Sequence, residues 1–283
     1  MFATILEITI SMSIVIILIL LLTPIISKRY SAKWRYYIWL FIAIRLVIPF
    51  NFSLPKTPIT IIEPEKSAIV LKPEAENFKV AVMEESEYIE KGNSLPTAVT
   101  YVPIISIMSL VTYVWLGGAV LFIMYNFINY WFFIARIKKN GKATEIKLVE
   151  TAMNELKVKK KPRIILCDKI SSPMLIGFIS PVIILPTIDY TENELNVILK
   201  HELTHYKKRD LWYKLLMIVA NGVHWFNPFV YIMVQQANRD LEFSCDDAVV
   251  ENEGMEFRKE YSRTILKSME NNKLTNFSVK LGE

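Results

Sequence analysis

The sequence predicts a mostly helical membrane protein, with three N-terminal transmembrane helices followed by a cytoplasmic part that combines a small β-sheet with a membrane-associated helical hairpin. Three observations carry that expectation. Hydrophobic residues make up 52% of the 283 residues and the mean hydropathy is +0.30, too apolar for an ordinary soluble chain. Long apolar runs recur at residues 2–26, 36–50 and 103–134. The charges between those runs alternate in sign, as they do when a chain crosses a bilayer repeatedly.

The first run, FATILEITISMSIVIILILLLTPII, carries only Glu7 and exceeds the roughly 20 apolar residues that span the hydrocarbon core. A signal peptide would have basic residues before the run and a small-residue cleavage site after it, and neither is present. The second run holds Arg45, which has to snorkel or face protein. Between these two runs lies SKRYSAKWR, with Lys28, Arg29, Lys33 and Arg35. Residues 51–102 carry eight glutamates against five lysines. Arg136, Lys138, Lys139 and Lys142 follow the third run. Lysine and arginine mark the cytoplasmic side, so the amino terminus is expected outside. Residues 1–50 then hold two spans and a basic cytoplasmic loop, 51–102 an acidic extracellular loop, 103–135 the third span and 136–283 a cytoplasmic domain.

The net charge of +5 sits largely beside the spans, where it orients the chain and meets membrane lipid. Direct nucleic-acid binding is not expected, and KVKKK at 157–161 reads as an exposed helix end. Cys167 and Cys245 both follow the third span, where a reducing compartment keeps them as free thiols.

Within the cytoplasmic part, apolar positions 146, 148, 149, 153 and 156 predict an amphipathic helix over 144–156. RIILC and the run Val182, Ile183, Ile184, Leu185 read as strands. The prolines at 181 and 186 favour a sheet edge for the second. Such an edge accepts an extended peptide by main-chain pairing; a small sheet that merely caps the domain is the other reading. Thr191 and Glu194 have capping-box spacing, so a helix begins at Glu192.

That helix carries HELTH. His201 and His205 lie one turn apart on one face, within reach of one ion, and Glu202 is the next residue round. Two neutral imidazoles at that separation and an adjacent carboxylate suit Zn2+ with a general base beside its bound water. Histidines that only hydrogen-bond are the competing explanation, and a third ligand decides between them. Residue 211 is leucine and residue 225 tryptophan, so neither common continuation of the motif is present. Glu242 remains.

If residues 211–234 crossed the bilayer as one straight helix, Glu242 would lie roughly 50 Å from His205. Asn221-Gly222 and Asn227-Pro228 instead read as a helix stop, a short loop and a helix start. The two arms, about 25 Å and about 21 Å long, nearly match. This hairpin returns Glu242 to the histidines. Asp246, four residues on, either holds a ligand histidine through its free N–H or pairs with Arg239. Cys245 is read as a buried thiol, and Asp210 with Lys207, Lys208 and Arg209 as helix-surface charge. His224, Tyr206 and Arg239 are the candidates to stabilise an oxyanion.

HELTHYKKRD, RDLEFSCDDAV and PMLIGFISPVIILP together resemble the membrane-embedded zinc metallopeptidases of the BlaR/MecR type, bacterial β-lactam sensor-transducers and their relatives. The resemblance runs over essentially the whole chain. It implies a gluzincin-like metallopeptidase domain in a bacterial cell membrane, with His201, His205 and Glu242 as zinc ligands and Glu202 as general base. The implied partner is a protein substrate, either the chain itself or a transcriptional repressor, cut after an extracellular signal. Proteins of that type continue into a further span and a penicillin-binding domain with a serine nucleophile. This sequence ends at LTNFSVKLGE without them, and direct acylation by a β-lactam is not predicted. A membrane transducer or scaffold with a structural zinc site is the rival from another class, marked by a fourth protein ligand closing the metal.

Overall fold

A computed structural model describes residues 2–29, 31–48 and 107–281. The acidic loop expected over 51–102 lies outside them. The chain order is α1 (Phe2–Arg29), α2 (Ala32–Val47), α3 (Ile107–Asn140), β1 (Lys142–Thr144), α4 (Leu148–Leu156), β2 (Arg163–Cys167), β3 (Met174–Ile176), β4 (Val182–Pro186), α5 (Glu192–Lys208), α6 (Asp210–Val223), α7 (Pro228–Val250) and α8 (Met255–Leu281).

Helices α1 and α3 are long and apolar enough to cross a membrane. Helix α2 has 16 residues, short of the usual span. It also starts earlier than the apolar run implies, because Ser31 takes the N-cap position. Arg35, expected in a solvated loop, therefore stands inside α2, 9% exposed. Its Nε donates to Asp240 Oδ1 of α7 at 2.7 Å, and Trp39 Nε1 donates to the other oxygen at 2.8 Å. A charge buried against apolar helices persists only when paired and hydrogen-bonded in this way.

The hairpin stands where its stop and start signals place it. Helix α6 ends at Val223, Asn227 caps α7 by accepting from Phe229 N–H, and Pro228 takes the first helical position, where its missing N–H costs nothing. The outward arm is not one straight helix, however. Arg209 adopts φ 58° and separates α5 from α6. Apolar faces of both arms pack with α1 and α2 around Ile16, Trp39, Met217, Met233 and Leu241. At the turn, buried His224 contacts Thr9 Oγ1 at 2.8 Å and the Leu46 carbonyl at 3.1 Å. Trp115 Nε1 of α3 donates to the Val223 carbonyl at 2.9 Å. Gly222 permits this approach, since a Cβ there would lie 2.6 Å from the Ile123 side chain.

The sheet has strand order β1-β2-β4-β3, with β2 and β4 parallel and the two outer pairs antiparallel. This corrects the expected edge strand. Val182, Ile183, Ile184 and Leu185 lie in β4, an interior strand whose last three of those residues are at most 1% exposed. The prolines only bound the run. An uninterrupted apolar stretch without alternation marks a strand covered on both faces. Strand β3 forms the edge instead. The helix expected over 144–156 begins only at Leu148, because 142–144 pair with β2.

Helix α5 begins with the expected capping box: Thr191 Oγ1 accepts from Glu194 N–H and Glu194 accepts from Thr191 N–H at 3.0 Å. Its apolar face, Ile198, Leu199 and Leu203, packs with Val149 and Ala152 of α4 on Ile183 and Leu185 of the sheet. That packing fixes which face of α5 is left for β3, α7 and α8.

Candidate metal centre

Helix periodicity puts His201 and His205 on the free face of α5, and the returning arm brings Glu242 to them. His205 Nε2 lies 3.1 Å from His201 Nε2 and 3.2 Å from Glu242 Oε2, and His201 Nε2 lies 3.9 Å from that oxygen. Three donors held at about 2.0–2.1 Å from one tetrahedral zinc would stand roughly 3.3 Å apart. The residues fit such an ion.

Each ring is anchored from behind. His205 Nδ1 donates to Asp210 Oδ2 at 2.7 Å. Asp210, read from sequence as a surface charge, is 2% exposed. The left-handed turn at Arg209 swings the first residue of α6 under the histidine, a geometry that helical spacing alone does not encode. His201 Nδ1 donates to the Tyr261 hydroxyl of α8 at 2.8 Å, and that hydroxyl donates to Asp246 Oδ1 at 2.6 Å. Asp246 itself stands 3.4 Å from His201 Nδ1, so it reaches the ring mainly through Tyr261. Tyr261 lies 60 residues from His201 and leaves no local motif. Among the described residues no ion pair joins Asp246 to Arg239.

Electrostatics match this wiring. Burial, reinforced by the neighbouring His205, pushes His201 down to about 4. Burial also opposes charge on His205, but its contacts with Asp210, Cys245 and Glu242 outweigh that and shift it upward. Burial would raise Glu242, yet His205 and Lys214 together hold it down to about 2. Lys214 Nζ of α6 donates to Glu242 Oε1 at 3.2 Å, a contact that sequence reasoning missed. Glu202, 6% exposed, is pushed up to about 7 by burial.

His201, Glu202, His205, Lys214 and Glu242 line a cavity of about 160 Å³ whose opposite wall is Pro173, Met174 and Leu175 at the sheet edge. Cys245 is a second candidate donor, within 4.8 Å of ligand atoms of both histidines. Its sulfur sits 4.0 Å from His201 Nδ1 and 3.7 Å from the His201 carbonyl. Cys167 and Cys245 are both buried and free. Of the oxyanion candidates, His224 is engaged at the hairpin turn, Tyr206 packs in the α4–α5–sheet core, and Arg239 is exposed. None lines this cavity.

Fold and site together define the class: a helical peptidase-type domain in which a His-Glu-x-x-His helix and a carboxylate from the next hairpin flank an open sheet edge. The chain belongs to the family described as BlaR1 peptidase M56, which matches residues 3–282 and whose members typically depend on a metal. It is 32% identical over 140 residues to Regulatory protein BlaR1 of Bacillus licheniformis, covering 47% of this chain and 23% of that protein. It is 33% identical over 112 residues to the Methicillin resistance mecR1 protein of Staphylococcus aureus (strain Mu50 / ATCC 700699), covering 38% of this chain and 19% of that one. Regulatory protein BlaR1 of Staphylococcus aureus is 23% identical over 172 residues, covering 59% and 29%. The chain spans less than a third of each relative.

Proposed function

We propose that this chain is a membrane-bound zinc endopeptidase that hydrolyses peptide bonds at the cytoplasmic face of a bacterial membrane. Its role is regulatory, through cleavage of itself or of a repressor, as the names of its BlaR1 and mecR1 relatives favour. Helices α1, α2 and α3 are its spans, the amino terminus is outside, and residues 136–283 form the peptidase domain with the α6–α7 hairpin set into the membrane. One observation carries the reading: two imidazole Nε2 atoms and a carboxylate oxygen converge, with Glu202 beside them, in a cavity walled by an edge strand.

Zinc held by His201, His205 and Glu242 would supply a Lewis acid and lower the pKa of a bound water towards neutrality. The chain does the rest. Asp210 and Tyr261 fix the tautomer and orientation of His205 and His201. Strand β3 pairs with the substrate main chain. Glu202, its carboxyl raised by burial to about 7, takes the water proton and passes it to the leaving amine. Lys214 brings positive charge to the cavity where an oxyanion develops.

Glu202→Gln tests this: purified full-length protein should keep stoichiometric zinc and lose at least roughly 100-fold in peptide hydrolysis. Hydrolysis at the unmodified rate would remove the general base. A second reading, a structural zinc in a non-catalytic transducer, is favoured by Cys245 alone.

A further inference from the structure

A second cavity, of about 540 Å³, adjoins the metal cavity and shares Leu175 and Leu211 with it. Its apolar floor is Phe178, Pro181 and Trp212, and its rim is Lys157, Lys159, Lys160, Lys207 and Arg209. Among the described residues no acidic residue lines it, and none of these five cations is engaged in an ion pair. Two sequence-distant segments supply them: the α4–β2 connection, and the end of α5 with the left-handed residue that follows it. Beyond the metal cavity in the other direction lies a cavity of about 520 Å³. It is lined by Glu202, Glu242, Phe243, Asp246 and Ile265, with no lysine or arginine among the described residues. Both outer cavities meet the β3 region, through Leu175 on one side and Pro173 on the other. The three therefore form one cleft along the sheet edge, basic at one end and acidic at the other.

Resting on the peptidase reading above, we infer that the basic end is a substrate subsite that selects peptides bearing an acidic residue on one fixed side of the cleaved bond. A peptide added to β3 advances about 3.3 Å per residue with alternate side chains on each face. Within a few residues of the metal cavity its chain runs past the basic rim. There a carboxylate meets five unpaired cations, and the apolar floor takes its methylene carbons and the neighbouring side chain. Placed at the acidic end, the same carboxylate would face Glu242 and Asp246, so the cleft also sets the direction in which the chain lies.

The test uses the full chain in phosphatidylcholine nanodiscs with zinc, a mixed peptide library, and mass spectrometry of the cleaved products. Wild-type products should be enriched in Asp or Glu at one position on one side of the cut. Lys159→Glu with Lys160→Glu, two exposed residues outside the metal centre, should lower the acidic preference roughly tenfold. The same variant should raise cleavage of basic peptides relative to neutral ones. Either single substitution should give a smaller shift in the same direction if the pair disturbs folding. Cleavage without acidic preference, or a preference unmoved by charge reversal, overturns the subsite while leaving the peptidase standing. So does a reversal that changes only binding to phosphatidylglycerol vesicles, which would assign the cations to lipid. A wild type that binds zinc and cuts no peptide fells the peptidase reading, and the subsite with it.

Discussion

Asp210 separates holding a metal from using it. Its Oδ2 accepts from His205 Nδ1 at 2.7 Å in a position 2% exposed. Asp210→Asn keeps shape and an acceptor but removes the charge that favours a donating Nδ1 and a basic Nε2. Asp210→Ala leaves a buried N–H without a partner. Outer partners of ligating histidines contribute about 10–100-fold in metal affinity, or about 1.4–2.7 kcal/mol. The isosteric change should fall near the lower figure and the alanine near the upper. Asp210 also opens α6, where a carboxylate favours the helix by about 0.3–1 kcal/mol, so a small loss of metal-free stability should accompany either change. Competition of purified protein against a chelating zinc dye gives the affinity, and peptide hydrolysis at saturating zinc gives the rate. Saturating zinc should restore most activity to Asp210→Asn and none to Glu202→Gln. Asp247, exposed on the same returning helix as Glu242, is the control. Zinc affinity within threefold of wild type for both Asp210 variants would show that the ring is held by packing alone.

Glu242→Ala should abolish stoichiometric zinc in purified protein, whereas Cys245→Ser should retain it; the reverse result in elemental analysis would transfer the third ligand to the thiol. Gly177 has φ +89°, and a Cβ there would lie 2.6 Å from the Ser180 carbonyl oxygen. Gly177→Ala should therefore cost at least about 1–2 kcal/mol and raise KM more than it lowers kcat, because the turn that follows β3 is displaced. Unchanged melting and KM would sink that argument. Arg35→Ala removes the cation paired with Asp240 in the helix core and should destabilise by about 3–5 kcal/mol, read as loss of the folded fraction in detergent titration. An apolar replacement of both partners together should recover most of it.

Much of this architecture follows from rules that act over a few residues. Spacing along α5 places His201, Glu202 and His205, the capping box sets where that helix starts, and Asn-Gly with Asn-Pro breaks the hairpin. Matched arm lengths then bring back Glu242. What the sequence hides depends on the third dimension. Sheet order is not a local property, so proline-bounded β4 reads as an edge although β3 pairs outside it. Asp210 looks solvated among Lys207, Lys208 and Arg209 until a left-handed residue turns it inward. Tyr261 arrives from α8, and Lys214 is an ordinary helix lysine until its neighbour across the hairpin is known. Burial on both faces, seen as an unbroken Ile/Val run, was the legible signal for an interior strand.

The same contacts that build the site tie it to the N-terminal helices. Asp240, which takes both Arg35 and Trp39 of α2, stands two residues before Glu242 on the rigid helix α7. Tyr36 of α2 stacks on Tyr213 of α6 at 4.4 Å, one residue before Lys214. On the substrate side, Tyr130 of α3 accepts from Gly177 N–H at 2.9 Å, and its ring lies 5.1 Å from Phe178 in the wall of the basic cavity. Packed helices shift between discrete arrangements rather than deforming continuously. A movement of α2 therefore acts on the Glu242–Lys214 side of the cleft, and a movement of α3 on the β3 edge and its basic pocket. On the peptidase proposal, ligand geometry would then answer to α2 and substrate register to α3. If that division holds, Tyr130→Phe should alter KM and cleavage-site selection at unchanged zinc affinity. Trp39→Phe, which removes one donor to Asp240, should change zinc affinity and kcat with the cleavage site preserved. The opposite pattern, or identical effects of the two, would show that the cleft moves as one body.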